Sequence, residues 1–254
     1  MNKQTFTSQD RRVEHQRKFF NSLHDSYEKG NMMNLPSLES ARKLISPHIF
    51  GDVLDIGNGG SICFDIKKAR SVTLADLAIK LLRNPKIVDK GRFRAVDKSK
   101  LRCVEANVLN LSFKDKSFDV VLLLWVAHHL SVSSKGGSKR NVNRAFSEIS
   151  RILRKDGLFI LAENCPAGFV KFFLDLGYPF WYFLLSKVNK PLPYFMSRGE
   201  IEQLLKKNGL TIIKKNNLAF GKKAYQPLFP FFAPPGWLWG MLMGSRLFLV
   251  KKDS

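Results

Sequence analysis

The feature that most constrains this chain is an apolar run, residues 53–56, that leads directly into a glycine cluster at residues 57–60. The run predicts a buried strand. Gly57, Gly59 and Gly60 lack a Cβ, so they can adopt positive φ and let the backbone approach a ligand closely. Short glycine clusters also form ordinary turns, so this pattern alone leaves both interpretations open.

Strand-like segments recur along the chain with room for a helix or loop between them. They cover residues 52–56, 71–75, 101–105, 118–125 and 157–162, with a final pair at 210–220 and 241–251. An apolar stripe predicts a helix over 141–153, which a turn at Asp156 and Gly157 follows. Ser197 and Glu200 have capping-box spacing, which predicts a helix over 197–207. The alternation predicts an α/β fold, a Rossmann-like doubly wound sheet of seven mostly parallel strands with helices on both faces.

The predicted domain organisation is simple. Residues 1–48 are expected to form an N-terminal helical lead-in, and residues 49–254 a single domain. Two aromatic-rich excursions interrupt that domain, a cap insertion at about 164–196 and a segment at about 225–239. Aromatic side chains gathered in this way suit an apolar ligand, so we expect both excursions to cover a substrate.

Composition narrows the class of protein. A chain of 254 residues with 44% hydrophobic content can bury one sizeable core. The three cysteines, Cys63, Cys103 and Cys165, lack metal-site spacing, and no secretion signal is recognised, so we expect a cytoplasmic protein without a metal. The apolar stretch 172–186 is too short to span a bilayer, and 226–245 contains four prolines, so no membrane-spanning helix is predicted.

The formal net charge of +21 is unusually large. Basic residues concentrate at 80–102 and 206–223. Such a field attracts an anionic membrane surface or nucleic acid, although lysine-rich solvated faces are an equally plain explanation.

A second acid supports a nucleotide-like ligand. Asp76 follows the second strand-like segment, twenty-one residues after Asp55. An acid at this place in a parallel sheet accepts hydrogen bonds from ribose hydroxyls. A nicotinamide-dinucleotide fingerprint would need glycine where Ile62 stands, so the sequence argues against that cofactor.

From about residue 50 to residue 165, the order of several blocks resembles the class I S-adenosylmethionine-dependent methyltransferases, of the small-molecule methyltransferase-domain type. The blocks are residues 53–60, 73–76, 104–108 with 111–113, 115–121, 125–130 and 152–158. The resemblance implies S-adenosylmethionine as the cofactor. It also implies a cofactor site made of Asp55, Gly57, Asn58, Gly59, Asp76, Leu77, Asn107, Val108 and Trp125.

In that assignment the glycine loop frames the methionine part of the cofactor, and Asp76 holds the ribose. Asn107 and Val108 lie beside the adenine, and Trp125 faces the cofactor from the acceptor side. Three departures from the family pattern bear on binding geometry and affinity. Ser61 replaces the third glycine, Asn107 stands where Asp is common, and residues 62–70 are short for a full helix.

Candidate catalytic residues follow the fourth strand. His128 and His129 could act as a general base or orient the acceptor, and a structural role is the alternative. Glu163, at the end of the fifth strand, is a further candidate for orienting the acceptor, with a solvent-exposed acid as the plainer expectation. Cys165 precedes a proline, as nucleophilic cysteines of cytosine methyltransferases do, but its position favours a loop cysteine.

The sequence predicts methyl transfer to a small, apolar or lipid-linked acceptor, at oxygen or carbon in preference to nitrogen. Phe172, Trp181 and Trp237 are the expected substrate contacts, and peripheral association with an anionic membrane is expected. The first alternative is an RNA methyltransferase that uses the two basic segments. The second is a non-catalytic binding protein on the same fold. The acceptor, its reacting atom and the oligomeric state are not predicted.

Overall fold

The computed structural model describes residues 8–23, 35–90, 92–97, 99, 101–188, 191–219 and 242–253. Its strands are β1 Asp52–Ile56, β2 Ser61–Ile62, β3 Ser71–Asp76, β4 Lys86–Asp89, β5 Arg92–Ala95, β6 Leu101–Glu105, β7 Phe118–Leu124, β8 Leu153–Asn164, β9 Leu210–Asn217 and β10 Ser245–Lys252. Its α-helices are α1 Ser8–Ser22, α2 Leu35–Ile45, α3 Lys135–Ile152, α4 Gly168–Lys187 and α5 Arg198–Lys207. The predicted segment 225–239, with Trp237, lies outside the described residues.

The main sheet has seven strands in the order β6-β3-β1-β7-β8-β10-β9. Every neighbouring pair from β6 to β8 is parallel, and β10 runs antiparallel to both β8 and β9. The chain winds outward in one direction from β1 and in the other from β7, so these two strands flank the topological switch point where such sheets bind ligands. The predicted Rossmann-like doubly wound fold is confirmed.

Helices cover both faces of the sheet. One core packs α3, α4 and α5 against β1, β7 and β8, and the other packs α2 against the opposite face. The amphipathic sequence of α3 explains its packing, because the helix buries only one side, with Val142, Phe146 and Ile149 pointing inward. In the part of the chain that the structure describes, no helix has both the length and the apolar character needed to cross a membrane.

The connection after β1 differs most from a regular βαβ unit. Residues 57–70 contain the two-residue strand β2 and a 3₁₀ turn at Ile66–Lys68, with no α-helix among them. β2 joins β4 and β5 in a second, three-stranded sheet. The predicted shortness of segment 62–70 is confirmed, but the second sheet was missed because its strands are short and β5 is rich in arginine.

Several predicted boundaries need correction. Helix α3 begins at Lys135, six residues before the expected 141, because the Ser134 side chain caps it by accepting from the Gly137 amide. The turn predicted at Asp156 lies inside β8, where Asp156 has a φ of 62° and the register against β7 shifts. The capping box at Ser197 and Glu200 forms as predicted.

Candidate functional site

The glycine cluster forms a tight loop at the carboxyl end of β1. Gly57, Gly59 and Gly60 have φ values of 69°, 59° and 80°. A Cβ on Gly57 would lie 2.4 Å from Val126 Cγ2, and one on Gly60 would lie 2.4 Å from the Leu81 carbonyl oxygen. Glycine is therefore required by backbone conformation and by close packing, and the loop is held between the segments that follow β7 and β3.

Asp55 is a buried acid beneath this loop. Its Oδ2 accepts from the Asn58 side-chain amide, which also donates to the Ser61 carbonyl oxygen. Burial raises the pKa of Asp55 to about 7, the Asn58 hydrogen bond lowers it, and the nearby Asp76 raises it. A carboxyl with such a pKa exchanges its proton near neutral pH.

Asp76 ends β3 and closes against the same loop. Its Oδ2 accepts from the Gly59 amide at 3.0 Å and its Oδ1 from the Ala78 amide at 2.8 Å. Burial raises the pKa of Asp76 to about 6, against the lowering effect of these two bonds. Each carboxylate oxygen can accept a second donor, so ribose hydroxyls can be held without breaking this arrangement.

Among the residues that the structure describes, two buried oxygens at this site find no hydrogen-bond partner, Asp55 Oδ1 and Asn58 Oδ1. Buried acceptors without donors are costly, and they cluster where a ligand supplies the missing groups. The methionine ammonium of S-adenosylmethionine carries three N–H donors and a positive charge, which suits a buried carboxylate with a raised pKa. The residues present therefore fit the cofactor that the sequence predicts.

The predicted adenine side lies after β6. Asn107 Oδ1 accepts from the Leu109 amide at 3.0 Å, so the side-chain oxygen stabilises its own loop. The group left to address a purine ring nitrogen is the Asn107 amide nitrogen, a donor, where aspartate would offer an acceptor. Val108 is buried in the core, and Leu77 is half-buried next to Asp76.

His128 is paired with Glu163 across the ends of β7 and β8. Its Nδ1 lies 2.6 Å from Glu163 Oε1, and its backbone amide donates to Oε2 at 3.1 Å. Glu163 is only 1% exposed, so the expectation of a water-exposed acid was wrong. The chain turns at the end of β8 so that the Asn164 amide also donates to the carboxylate, which satisfies it within the protein.

The Glu163 carboxylate fixes the tautomer of the His128 imidazole. Because an ionised Glu163 can only accept, the His128 ring donates from Nδ1, and its neutral form carries the lone pair on Nε2. The ring stacks on Phe195 with centroids 5.0 Å apart. This oriented His–carboxylate pair is the arrangement used by general bases.

His129 has different surroundings. Burial and the neighbouring His128 ring, 4.0 Å away, hold the pKa of His129 well below its usual range. Its ring packs edge-on against Phe20 of α1, and its carbonyl oxygen accepts from Gln16 at 2.6 Å. His129 therefore anchors α1 across the carboxyl edge of the sheet, and this role was not visible in the sequence.

The remaining candidate site residues differ in burial and in their hydrogen-bond partners. Trp125 has a φ of 56°, and its indole donates to Ser245 of β10 at 2.9 Å, so its polar edge is engaged within the sheet. Trp181 is partly buried against the core, whereas Phe172 is 62% exposed on α4. Cys165 is buried and burial raises the pKa of its thiol to about 12, which agrees with a loop cysteine that is not a nucleophile.

Sequence reasoning missed two neighbours of His128. Phe195 supplies the stacking ring, and the Tyr194 amide donates to the His128 carbonyl oxygen at 2.9 Å. Both residues lie at the end of the aromatic insertion, so the concentration of aromatics there was the only available signal.

A family model described as "Methyltransferase domain" matches residues 54–161, which include the glycine loop, Asp76 and both histidines. An uncharacterized protein of Methanocaldococcus jannaschii is 31% identical over 109 residues. That alignment covers 43% of this chain and 39% of the relative, so the chain spans well under half the length of the curated protein it matches.

Solved structures with the same fold cover nearly the whole chain. A chain from the Haloferax volcanii complex of the Trm112 methyltransferase activator with a methyltransferase aligns with a TM-score of 0.65, 16% identity and coverage of 92% and 98% of the two chains. The Burkholderia thailandensis 1,6-didemethyltoxoflavin-N1-methyltransferase, with bound 1,6-didemethyltoxoflavin and S-adenosylhomocysteine, aligns with a TM-score of 0.61, 14% identity and coverage of 100% and 94%.

These likenesses to solved structures show the fold, and the family match adds the ordered motifs at the carboxyl edge of the sheet. Together with the glycine loop and the paired acids Asp55 and Asp76, they identify residues 54–161 as the core of a class I S-adenosylmethionine-dependent methyltransferase domain.

Proposed function

We propose that this protein transfers the methyl group of S-adenosylmethionine to a small, apolar or lipid-linked acceptor, at oxygen or carbon. The observation that carries the proposal is the His128–Glu163 pair at the ends of β7 and β8, next to the cofactor loop. An acceptor hydroxyl or activated carbon must lose a proton when it is methylated, and an oriented imidazole supplies a base for that proton.

Different residues are assigned to cofactor binding and to catalysis. Asp55 is assigned to the ammonium of the cofactor and Asp76 to its ribose hydroxyls. When bound, S-adenosylmethionine supplies a sulfonium methyl that is already electrophilic. The acceptor atom would take the methyl group as the sulfur–carbon bond of the cofactor breaks, and His128 Nε2 would take the acceptor's proton. Glu163 does not touch the acceptor but positions the imidazole.

The surroundings of His128 favour an apolar acceptor. Phe195 stacks on the ring and packs in turn with Met243, Val170 and Leu174. This small apolar cluster excludes water from one side of the base, which suits methyl transfer to a hydrophobic molecule. Phe195 is thus an aromatic side chain in contact with His128, whereas the predicted contact Phe172 is exposed on α4.

The two basic segments on which the RNA alternative rests both border helix α2. Segment 80–102 contributes β4 and β5 of the second sheet, beside α2, where Arg42 and Asp89 approach to 3.6 Å. The described part of segment 206–223 includes β9, an edge strand of the main sheet. Its residue Ala219 contacts α2, because the Ser37 hydroxyl donates to the Ala219 carbonyl oxygen at 2.7 Å and the Ala219 amide donates to the Ser40 hydroxyl at 3.2 Å. RNA therefore stays the alternative that the following experiment tests.

Labelled methyl transfer tests the proposal. The protein is incubated with methyl-labelled S-adenosylmethionine and a cell extract, and label is counted in the organic and the RNA fractions. The proposal predicts label in the organic fraction with wild-type protein. It also predicts a loss of about a hundredfold or more with His128→Gln, at unchanged binding of S-adenosylhomocysteine.

Label confined to RNA would establish the first alternative. Cofactor binding without transfer to any fraction, in wild type as in His128→Gln, would favour the non-catalytic binding protein.

A further inference from the structure

Helix α4 presents a continuous apolar stripe to solvent. Seven large apolar side chains on it are between 38% and 69% exposed. They are Phe169, Phe172, Phe173, Leu176, Phe180, Phe183 and Leu184. Their spacing by three and four residues places them on one side of the helix, over a length of about 23 Å. Every exposed residue from 168 to 184 is apolar, glycine or proline.

The inward side of the same helix carries the polar groups. Lys171 is buried, with its Nζ 2.6 Å from both carboxylate oxygens of Asp175 and 3.2 Å from the Tyr194 hydroxyl. Tyr178 is also buried and donates to the Val132 carbonyl oxygen at 2.8 Å. A surface helix normally has the opposite arrangement, with its polar side in water. An exposed apolar surface of this extent marks an interaction site.

A basic side chain contacts one end of the stripe, and others lie on the element against which α4 packs. The Tyr178 hydrogen bond seats the middle of α4 on the start of α3, and residues 131–147 there contain four basic residues and no acid. Lys135 and Arg140 in this stretch are exposed. At the other end of the stripe, Lys187 Nζ lies 4.3 Å from the centre of the Phe183 ring.

This combination favours lipid over a folded protein as the occupant. Phenylalanine and leucine on one side, with a lysine at the end of the helix and further basic residues on the neighbouring element, match the acyl boundary and the anionic headgroups of a membrane leaflet. A protein interface would bring hydrogen bonds at about one per 100–200 Å². The side chains of the stripe offer no donor or acceptor for them.

We propose that the outward face of α4 docks this protein on an anionic membrane, with the helix in the plane of the interface and its stripe inserted at the acyl boundary. The inward face stays bound to the protein, so the helix lies along the surface. This inference deepens the proposed function and rests on it for one point, the source of the acceptor.

The inference about the source of the acceptor follows from the packing of α4 near the His128–Glu163 pair. Val170 and Leu174 of α4 pack with Phe195, and Phe195 stacks on His128. One layer of apolar side chains therefore separates the docking helix from the proposed base. A lipid-linked acceptor held in the bilayer would pass beside α4 and this layer to reach the base.

Vesicle sedimentation of the full chain tests the docking surface. One set of vesicles is phosphatidylcholine alone, and the other is phosphatidylcholine mixed with phosphatidylglycerol. Wild type should sediment with the mixed vesicles. The triple variant Phe169→Gln/Phe173→Gln/Leu176→Gln should bind them about a hundredfold more weakly, since each inserted side chain contributes about tenfold or less. The control Phe50→Gln/Ile213→Gln alters exposed apolar residues outside the stripe and should bind as wild type does.

A charge variant and a folding check complete the design. Lys135→Glu/Arg140→Glu should weaken binding to the mixed vesicles. All variants should keep the thermal shift induced by S-adenosylhomocysteine, which shows that they are folded. Wild type that ignores both vesicle sets, or a triple variant that binds as wild type does, would overturn the proposal. So would a wild-type dimer, without vesicle binding, that the triple variant dissociates, since the stripe would then join two copies.

The two proposals fail in distinguishable ways. Vesicle binding is measured without cofactor, and methyl transfer can be measured on a detergent-dispersed extract. Transfer without vesicle binding would contradict only the docking surface. Vesicle binding without transfer would contradict only the proposed activity.

Discussion

The burial of the Asp55 carboxyl predicts how the substitution Asp55→Asn changes stability as a function of pH. Asp55 is only 1% exposed, and burial raises its pKa to about 7 from an ordinary value of 3.8. Because the folded-state pKa is raised, the favourable contribution of this group is fully present below pH 3.8 and is lost as the pH rises to about 7. At about 1.4 kcal/mol per pH unit, the ionised group costs roughly 4 kcal/mol at pH 8.

Asparagine removes this cost but leaves an unpaired buried amide, a penalty of about 1–3 kcal/mol. Asp55→Asn should therefore be more stable than wild type at pH 8 by about 1–3 kcal/mol in the absence of cofactor. For a chain of this size that is a rise in Tm of roughly 2–10 °C. The difference in free energy of unfolding between Asp55→Asn and wild type should fall by roughly 3 kcal/mol between pH 8 and pH 5, because Asp55 in the wild type is largely protonated at pH 5.

The assay is thermal or urea unfolding of both proteins across that pH range, followed by titration with S-adenosylhomocysteine. The variant should gain stability and lose the cofactor-induced shift together, as expected of a strained binding residue. Asp156→Asn is the control, because this acid is exposed and residue 156 has a positive φ that asparagine tolerates. A stability difference that does not change with pH would show that Asp55 does not ionise with a raised pKa in the folded protein.

Three further predictions concern the catalytic pair and the glycine loop. Glu163→Gln should lower kcat by about tenfold or more while KM for the cofactor stays unchanged, measured by label transfer; equal losses in both would indicate a purely structural role. Gly60→Ala should destabilise the fold by about 2 kcal/mol in urea unfolding, because its φ is 80° and a Cβ would meet the Leu81 carbonyl oxygen at 2.4 Å. Gly168→Ala has no atom within 4 Å of the new Cβ and should be neutral. Asp76→Ala should abolish the thermal shift with S-adenosylmethionine, and a retained shift would contradict the ribose assignment.

The sheet and the glycine loop could be predicted because local signals agree with the tertiary structure there. Apolar runs at residues 52–56 and 118–125 mark central strands, and the glycines mark a backbone that only they can adopt. The pattern also predicted the shortened connection at 62–70, although not the second sheet that partly fills it.

What the sequence could not supply depends on long-range contacts. Glu163 lies thirty-five residues from His128, and only the parallel pairing of β7 with β8 brings their ends together. The orientation of α4 was equally hidden. Its aromatic content predicted a cover over substrate, but Lys171 and Tyr178 find buried partners and turn the phenylalanines outward.

Calorimetric titration of S-adenosylhomocysteine into wild type and Asp76→Ala tests the central assignment most directly. The assignment of Asp76 to the ribose predicts one binding site per chain in the wild type and none in the variant. The assignment of Asp55 to the ammonium also predicts that wild-type affinity for S-adenosylmethionine rises from pH 6 to pH 8 as Asp55, with a pKa of about 7, becomes ionised. Absence of binding to the wild type, or equal binding to Asp76→Ala, would contradict the assignment of Asp76.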